Sequence, residues 1–436
     1  MALNLFLRVL HFWKNSKQVK GIEGCTMKIV VMGLGFVGLT TALGLAEKGH
    51  TVLGFDTNAS RTAELISGKV SLFEPNLTEA LTHNLGANFT VLQTLPEIAA
   101  DIQVFFICVG TPCDDSGYTD FRYVFGALDI LESMLKSDSF KGVIAIKSTI
   151  PPGTTKTKII PYLRERGITA PVVNNPEFLR EGYCWEDFMN PDRIVCGIED
   201  DGAVNVMKSI YKDFNVPIVV TSLNTAEFIK YLSNNMLASM ISFSNEMSMI
   251  AQATGDISVK QAFETLHMDR RWAGASMMHY VYPGCGFGGY CLPKELQAMI
   301  SHAKNYGITP VILESVQSVN RLMASFFTDQ ITVDVSENIG ILGLSFKPNS
   351  GDVRSTPAAN IISGLLNKGY QSIYAYDPEA NVSFQKEYSF PIHYCKSMDE
   401  VCEQAKTVLI VTAWPQFKEI NKSWLDVKFI DGRYML

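Results

Sequence analysis

No cysteine pattern in this chain points to a disulfide framework or to zinc. Its nine cysteines are an odd number, scattered without a Cys-x-x-Cys pair. Free thiols in a reducing compartment are therefore expected, which places the protein in the cytoplasm, and no metal is assigned. The chain also lacks a basic excess. Its formal net charge is -7, which argues against a nucleic-acid surface but leaves room for a local basic pocket for an anionic ligand. No integral membrane span is expected. The apolar cluster Leu3, Leu5, Phe6, Leu7, Val9, Leu10, Phe12 and Trp13 is broken by Arg8 and followed by Lys14, Lys17 and Lys20. It is too short for a bilayer, and its charges follow the apolar part, unlike a secretory signal. Residues 1–26 are read as an extension outside the main fold, with a helix lying on a membrane surface as the alternative. The 436 residues, 47% hydrophobic and 19% charged, suit a globular protein of two or three domains.

The stretch Pro283-Gly284-Cys285-Gly286-Phe287-Gly288-Gly289-Tyr290-Cys291-Leu292-Pro293-Lys294-Glu295 is a poor helix and a poor strand, because its glycines cost backbone entropy and add nothing to a core. They allow a backbone to approach a ligand closely. Pro293 suits a helix start, and a thiol near a helix N-terminus and a lysine is expected to have a lowered pKa. Cys291 is thus a candidate nucleophile. A glycine-rich surface turn with an incidental buried cysteine is the alternative.

Lys28 to Met32 is an apolar run ending at Gly33-Leu34-Gly35-Phe36-Val37-Gly38. A helical pattern through Leu45 follows, Gly49 ends it, and Thr51 to Phe55 leads to Asp56, 18 residues after Gly38. Strand, GxGxxG, helix, strand and acid in this order predict a dinucleotide site. Gly33 would allow the tight turn, Gly35 let the pyrophosphate approach and Gly38 let the helix pack on the sheet; with Phe36 and Val37 they are the candidate cofactor contacts, and Asp56 would meet the adenosine ribose. A carboxylate there repels a 2′-phosphate, so NAD is favoured over NADP. Arg61 would cover the adenosine side.

Parallel strands are expected at Gln103 to Val109 and Val143 to Lys147, ending in Gly110-Thr111-Pro112 and Ser148-Thr149-Ile150-Pro151-Pro152-Gly153-Thr154-Thr155. Thr111 and Thr149 lie where ligands sit in open α/β sheets, although turn chemistry accounts for either alone. A strand at Pro171 to Asn174 leads into Asn175-Pro176-Glu177-Phe178-Leu179-Arg180-Glu181-Gly182, where Glu177 and Glu181 would share a helix face. From Asn224 to Thr254 no glycine or proline interrupts the chain. This predicts one long helix, capped by Asn224 with Glu227, buried on more than one side by Phe228, Met236, Met240, Phe243 and Met247, and crossing a dimer axis. Lys230 and Asn234 are neighbours on it, as a site pair or as solvated surface residues. Strands at Glu337 to Gly343, Ser372 to Tyr376, Val408 to Thr412 and Lys428 to Ile430, with a helix from Pro357 to Asn367, imply a second α/β domain. Lys347 and Arg433 are its candidate phosphate or base contacts.

With GLGFVG and Asp56, STIPPGTT, NPEFLREG, AEFIKYLSNN, GFGGYCLPK, LGLSFKP and the terminal DGR in order, the chain from Met27 to Leu436 resembles the UDP-glucose/GDP-mannose dehydrogenase family. The resemblance implies an α/β protein with two Rossmann-like parallel-sheet domains, joined by a long central helix with a helical dimerisation region. The boundaries are 27–222 for the NAD domain, 223–325 for the central region and 326–436 for the UDP-sugar domain. It also implies a homodimer that oxidises UDP-glucose to UDP-glucuronate with two NAD, a step of polysaccharide biosynthesis. GDP-mannose or another nucleotide sugar is the alternative substrate, and a non-catalytic sensor the alternative class. Carried over by motif, Cys291 forms a thiohemiacetal and then a thioester, and Lys230 and Asn234 stabilise the oxyanion. Thr149, Glu177 and Glu295 surround the water and proton transfers, while Glu181 and Arg354 lie on the cofactor side. Glu177, Phe178, Leu179, Lys230, Asn234, Phe287, Gly288, Lys347, Arg433 and Arg271, the last reaching the neighbouring subunit's site, are the implied substrate contacts. Glu295 stands where the family has aspartate, and Tyr290 where serine is more usual. The stretch between Arg271 and Cys291, with Trp272, His279, Tyr280 and Tyr282, reads as an insertion. The absence of a histidine before Cys291 speaks against an N-acetylhexosamine substrate.

Overall fold

The computed structural model describes residues 26–72, 74–95, 101–114, 116–136, 140–269 and 281–436. Arg271 and most of the extension 1–26 lie outside the described residues. The first lobe is an eight-stranded sheet: β1 Lys28–Met32, β2 Thr51–Phe55, β3 Phe89–Leu92, β4 Val104–Ile107, β5 Val143–Ile146, β6 Val172–Asn174, β7 Ile194–Gly197 and β8 Ile218–Thr221, in the order β3-β2-β1-β4-β5-β6-β7-β8. The chain reverses between β1 and β4, so the crevice at the carboxyl ends of these strands is where a ligand fits. β4 (VFFI) and β5 (VIAI) are buried at every position, as strands covered on both faces must be. One apolar layer, including Val31, Leu43 and Phe188, covers one face. Another, including Ile144, Leu128 and Leu163, covers the other. Each such fully buried side chain contributes about 1.5–3 kcal/mol.

The parallel sheet expected of this lobe is present, and one sequence expectation is corrected. The sheet is parallel except between β6 and β7, which pair antiparallel at Asn174 and Gly197. Glu177 and Glu181 do not share a helix, because residues 175–180 are irregular. Pro176 restricts Asn175, and the Glu177 carboxylate accepts the Leu179 amide at 2.6 Å, a local bond that competes with helix formation.

The first helix, α1, Phe36–Glu47, starts directly after Gly35. A side chain at Gly38 would begin 1.7 Å from the Gly33 carbonyl oxygen, so only glycine lets this helix pack on the turn. The long helix α2, Leu223–Thr254, forms as expected but is capped differently. Ser222 Oγ accepts the Thr225 amide at 3.2 Å, and Glu227 turns away to the STIPPGTT loop. Phe228, Met236 and Phe243 are exposed rather than buried, whereas Met240 and Met247 pack on a small cluster with Val259 and Phe263. That cluster also includes residues of α3, Val259–Leu266.

Two further helices, α4 Cys291–Asn305 and α5 Val311–Thr328, lie on α2. The second lobe is a five-stranded, fully parallel sheet of β9 Ile339–Leu342, β10 Ile373–Tyr376, β11 His393–Tyr394, β12 Thr407–Ile410 and β13 Lys428–Asp431. Their order is β11-β10-β9-β12-β13. Helix α6, Pro357–Asn367, buries Ile361, Ile362 and Leu365 against it. Among the described residues, no helix is long and apolar enough to cross a membrane.

Candidate active site

Cys291 is the first residue of α4, preceded by Tyr290 at the cap. The glycine stretch before it is held by two asparagines that the sequence reading missed. Asn245 of α2 accepts the Gly284 amide at 2.7 Å. Asn320 of α5 accepts from the Phe287 amide at 2.8 Å and donates to its carbonyl at 3.1 Å. Both asparagines sit on amphipathic helices, where nothing in the spacing separates a loop clamp from a surface amide. The Phe287 ring is buried with Ala238, Leu296, Ile300 and Val316. A side chain on Gly288 would begin 2.4 Å from the Ser355 carbonyl, and one on Gly284 would begin 2.2 Å from Arg433 Nη1. The second lobe thus approaches the loop at its glycines, and the Arg433 Nε is buried there without a hydrogen-bond partner.

Around Cys291 lie groups from three elements. Lys230 Nζ of α2 and Glu177 Oε1, after β6, form a buried ion pair at 2.8 Å. Asn234, one turn along α2, donates to Glu295 Oε2 at 2.8 Å, and Glu295 Oε1 is buried with no hydrogen bond among the described residues, the Lys294 ammonium lying 4.0 Å away. Burial pulls the Lys230 pKa down, but Glu177 foremost, then Glu295 and Cys291, hold it above the ordinary lysine value. Burial raises Glu177, yet the Lys230 charge and hydrogen bond leave it below the usual carboxylate range. Burial pushes Glu295 up against the opposing charges of Lys230 and Lys294.

The Cys291 thiol departs from expectation: it is pushed up to about 12, not lowered. Desolvation comes first and the Glu295 carboxylate second, both outweighing Lys230. The residue is exposed at the cleft floor, yet protein walls surround it at longer range. Solvent access tempers the desolvation, and the neighbouring carboxylates preserve the direction of the shift.

At the end of β4, Thr111 Oγ1 donates to the Thr149 carbonyl at 2.7 Å, and Lys294 Nζ reaches Thr111 Oγ1 at 3.5 Å. This ties both threonines of the first lobe to the Cys291 helix. Phe178 packs beneath Arg193, whose guanidinium lies 4.3 Å from the ring centroid, with Lys230 Nζ at 5.7 Å. The Leu179 amide is taken by the Glu177 carboxylate. Glu227, expected in a helix cap, accepts instead from the Gly153 and Thr155 amides at 2.5 and 2.8 Å, anchoring the loop that carries Thr149.

The dinucleotide end of the sheet fits NAD. Nothing lies within 4 Å of where a Gly35 side chain would begin, so the amide end of α1 faces open space suited to a pyrophosphate. Gly33 takes φ +89° against the Cys108 backbone. Asp56 accepts from the Leu34 and Asn58 amides, both at 2.8 Å, and pairs with Arg61 at 2.9 Å. It presents a carboxylate where a 2′-phosphate would be repelled.

Lys347, Glu181 and Arg354 meet each other across the lobes. Lys347 Nζ donates to the Glu181 carbonyl, Ser350 Oγ donates to Glu181 Oε1 at 3.1 Å, and Arg354 lies 4.0 Å from Glu181 Oε2. Lys347, expected on the nucleotide sugar, is in this structure an interlobe contact. Arg354 also pairs with Asp352 and covers the Tyr290 ring, its guanidinium 4.6 Å from the centroid.

Comparison with known proteins accords with these elements. The UDP-glucose/GDP-mannose dehydrogenase family models match as NAD binding domain over residues 27–215, central domain over 224–322 and UDP binding domain over 340–436. The chain is 35% identical over 408 residues to a UDP-glucose 6-dehydrogenase of Rickettsia bellii, covering 91% of each chain. Its fold resembles a UDP-glucose dehydrogenase from Pyrobaculum islandicum with a TM-score of 0.88 at 33% identity, covering 96% of each chain. It also resembles a UDP-D-ManNAc dehydrogenase from Pyrococcus horikoshii with a TM-score of 0.81 at 26% identity, over 94% of this chain and 96% of that one.

Proposed function

The chain belongs to the UDP-glucose/GDP-mannose dehydrogenase family, and from that premise we propose that it oxidises C6 of UDP-glucose to the carboxylate of UDP-glucuronate through intermediates bound to Cys291. It is an NAD-dependent oxidoreductase with its NAD binding domain at residues 27–215. The observation that carries the reading is the buried Lys230–Glu177 pair beside Cys291, Asn234 and Glu295.

When bound, NAD supplies the hydride acceptor for both oxidations. Lys230 keeps its proton because Glu177 is ionised beside it, so it offers a cation to the oxygen on C6 rather than acting as a base. Glu295 is the acceptor for the thiol proton. It is held by Asn234 through one oxygen, and its other oxygen accepts no hydrogen bond among the described residues. With that proton removed, the sulfur adds to the aldehyde carbon and the carbonyl oxygen becomes an alkoxide under Lys230, which takes the proton back from Glu295 to give the thiohemiacetal. Loss of a second hydride, with the hydroxyl proton passing to water, leaves a thioester. Water then adds to the thioester carbon, giving up a proton to the ionised Glu295, and the sulfur leaves and takes that proton to restore the thiol. Glu177 and Thr149 line the same water and proton network. A cysteine suits both halves, since the thiohemiacetal retains a hydride to give.

Phe228, Leu232, Met236, Phe243 and Ile250 of α2 are all exposed, and at helical spacing they fall within an arc of about 80°. Such a stripe on a helix is an unpartnered apolar face, and a second copy of this chain covers it in the proposed homodimer. Purified protein with NAD and UDP-glucose should release two NADH per sugar. NADH from GDP-mannose or UDP-N-acetylmannosamine with none from UDP-glucose would reassign the substrate, and binding without turnover would favour a sensor.

A further inference from the structure

Lys147, at the end of β5, takes no part in the chemistry above, yet it is buried inside the first lobe. Among the described residues its Nζ has one hydrogen-bond partner, Asn175 Oδ1, at 3.2 Å, and it lies 5.9 Å from the Phe106 ring centroid. Burial lowers the Lys147 pKa from the ordinary lysine value, opposed by Cys108 and Glu177, so an ammonium here is costly unless a carboxylate compensates it. Asn175 is anchored on every side: its amide donates to the Ile146 carbonyl at 2.8 Å, its Nδ2 to the Val195 carbonyl at 2.8 Å, and Tyr211 donates to its Oδ1 at 2.5 Å. Two residues on is Glu177, whose carboxylate pairs with Lys230. The titratable and charged groups facing Lys147 are Cys108 after β4, Cys196 of β7, Glu177 and, from α2, Lys230. The two thiols are themselves pushed up to about 12 by burial and carry no charge near neutrality. Glu177 is therefore the anion available to Lys147.

We propose that Lys147 is a positioning residue for the reaction: through Asn175 it fixes the start of the Asn175-Pro176-Glu177 turn, and its charge keeps Glu177 ionised so that Lys230 stays a cation. Glu177 thus touches one buried lysine directly and stands two residues along the chain from the asparagine that a second one holds. The lowering of the Glu177 pKa by Lys230 first, and by Lys147 among the lesser causes, accords with this arrangement. The inference rests on the functional reading above in assigning Glu177 and Lys230 to the site, but its test does not depend on the sugar.

The variants are Lys147→Gln, which keeps a donor toward Asn175 without charge, Lys147→Met, and Lys147→Arg, which keeps the charge. The Glu177 protonation midpoint is read by carboxyl NMR of glutamate-labelled full-length protein, with Glu177→Gln identifying the signal. The charge of Lys147 in the native protein is read at pH 7 by side-chain nitrogen NMR of lysine-labelled protein, with Lys147→Arg identifying the signal. Removing the charge should raise the Glu177 midpoint by about half a unit, a threefold gain in proton affinity, while Lys147→Arg should leave it at its native value. A merely structural lysine would lower the melting temperature and leave the midpoint of the neutral variants unmoved, and that result overturns the proposal. If neither neutral variant folds, the Lys147 signal decides: an ammonium supports the proposal and a neutral amine overturns it. No NADH from UDP-glucose would overturn the functional reading, while the NMR midpoint still tests this one.

Discussion

Cys291 begins a helix beside two lysines, yet its thiol is pushed up to about 12. The helix dipole and the cations favour the thiolate, but partial removal of water and the Glu295 and Glu177 carboxylates outweigh them. As the proposed nucleophile, Cys291 therefore needs a neighbouring base. Cys291→Ser should abolish uronate formation while NAD still binds, checked by product analysis and cofactor fluorescence; full uronate production would contradict the covalent route. Burial raises the Glu295 pKa, and only its ionised form accepts a proton. Turnover should therefore rise with pH as Glu295 ionises. Glu295→Gln should flatten that rise and cut turnover, because it removes the base for both thiol addition and thioester hydrolysis, checked by the pH profile of NADH release.

At the scale of elements, caps and clamps decide what helix periodicity leaves open. Asn224 and Glu227 satisfy the spacing of a capping pair, but Ser222 holds the Thr225 amide and Glu227 holds Gly153 and Thr155. Ser222→Ala should cost about 1 kcal/mol, seen as a lower melting temperature, whereas Asn224→Ala should leave it unchanged. The glycine loop depends on Asn245 and Asn320 from different helices. Asn320→Ala should raise the KM for the nucleotide sugar severalfold, with a smaller change for NAD, because the loop it clamps lies between Arg433 and Cys291 and away from Gly35.

Across the whole molecule, the lobes meet through the Lys347, Ser350 and Arg354 contacts to Glu181. Burial first, then Asp352, raise the Glu181 pKa from 4.5 to about 7. The folded protein thus holds this proton where the unfolded chain has lost it. The Glu181 contribution to stability should decline as pH rises from about 4.5 through about 7 and be flat outside that window. Glu181→Gln should remove that part of the fall in melting temperature across the window. The exposed stripe of α2 belongs to this scale too. Phe243→Glu should convert a dimer to a monomer by light scattering, and a native protein that is monomeric at micromolar concentration would contradict the assembly.

Strand, glycine turn, helix and acid from Lys28 to Asp56 follow from local rules, because each step is a nearest-neighbour preference of the backbone and the pattern is continuous in the chain. The same holds for the length of α2, which depends only on the absence of breakers. The edge strands β3 and β8 were not legible, since edge positions need little apolar patterning, and β7, though interior and buried, is only a four-residue run ending in glycine. The irregular path of Glu177 and Glu181 was hidden because a side chain's bond to its own backbone outweighed helical spacing. Which cation pairs with which carboxylate was decided only when the lobes came together. Glu177 and Lys230 are 53 positions apart, and Lys347 reaches Glu181 from another sheet. Burial, which set the direction of the Cys291 and Glu295 shifts, is a property of the packed cleft and has no counterpart in the order of residues.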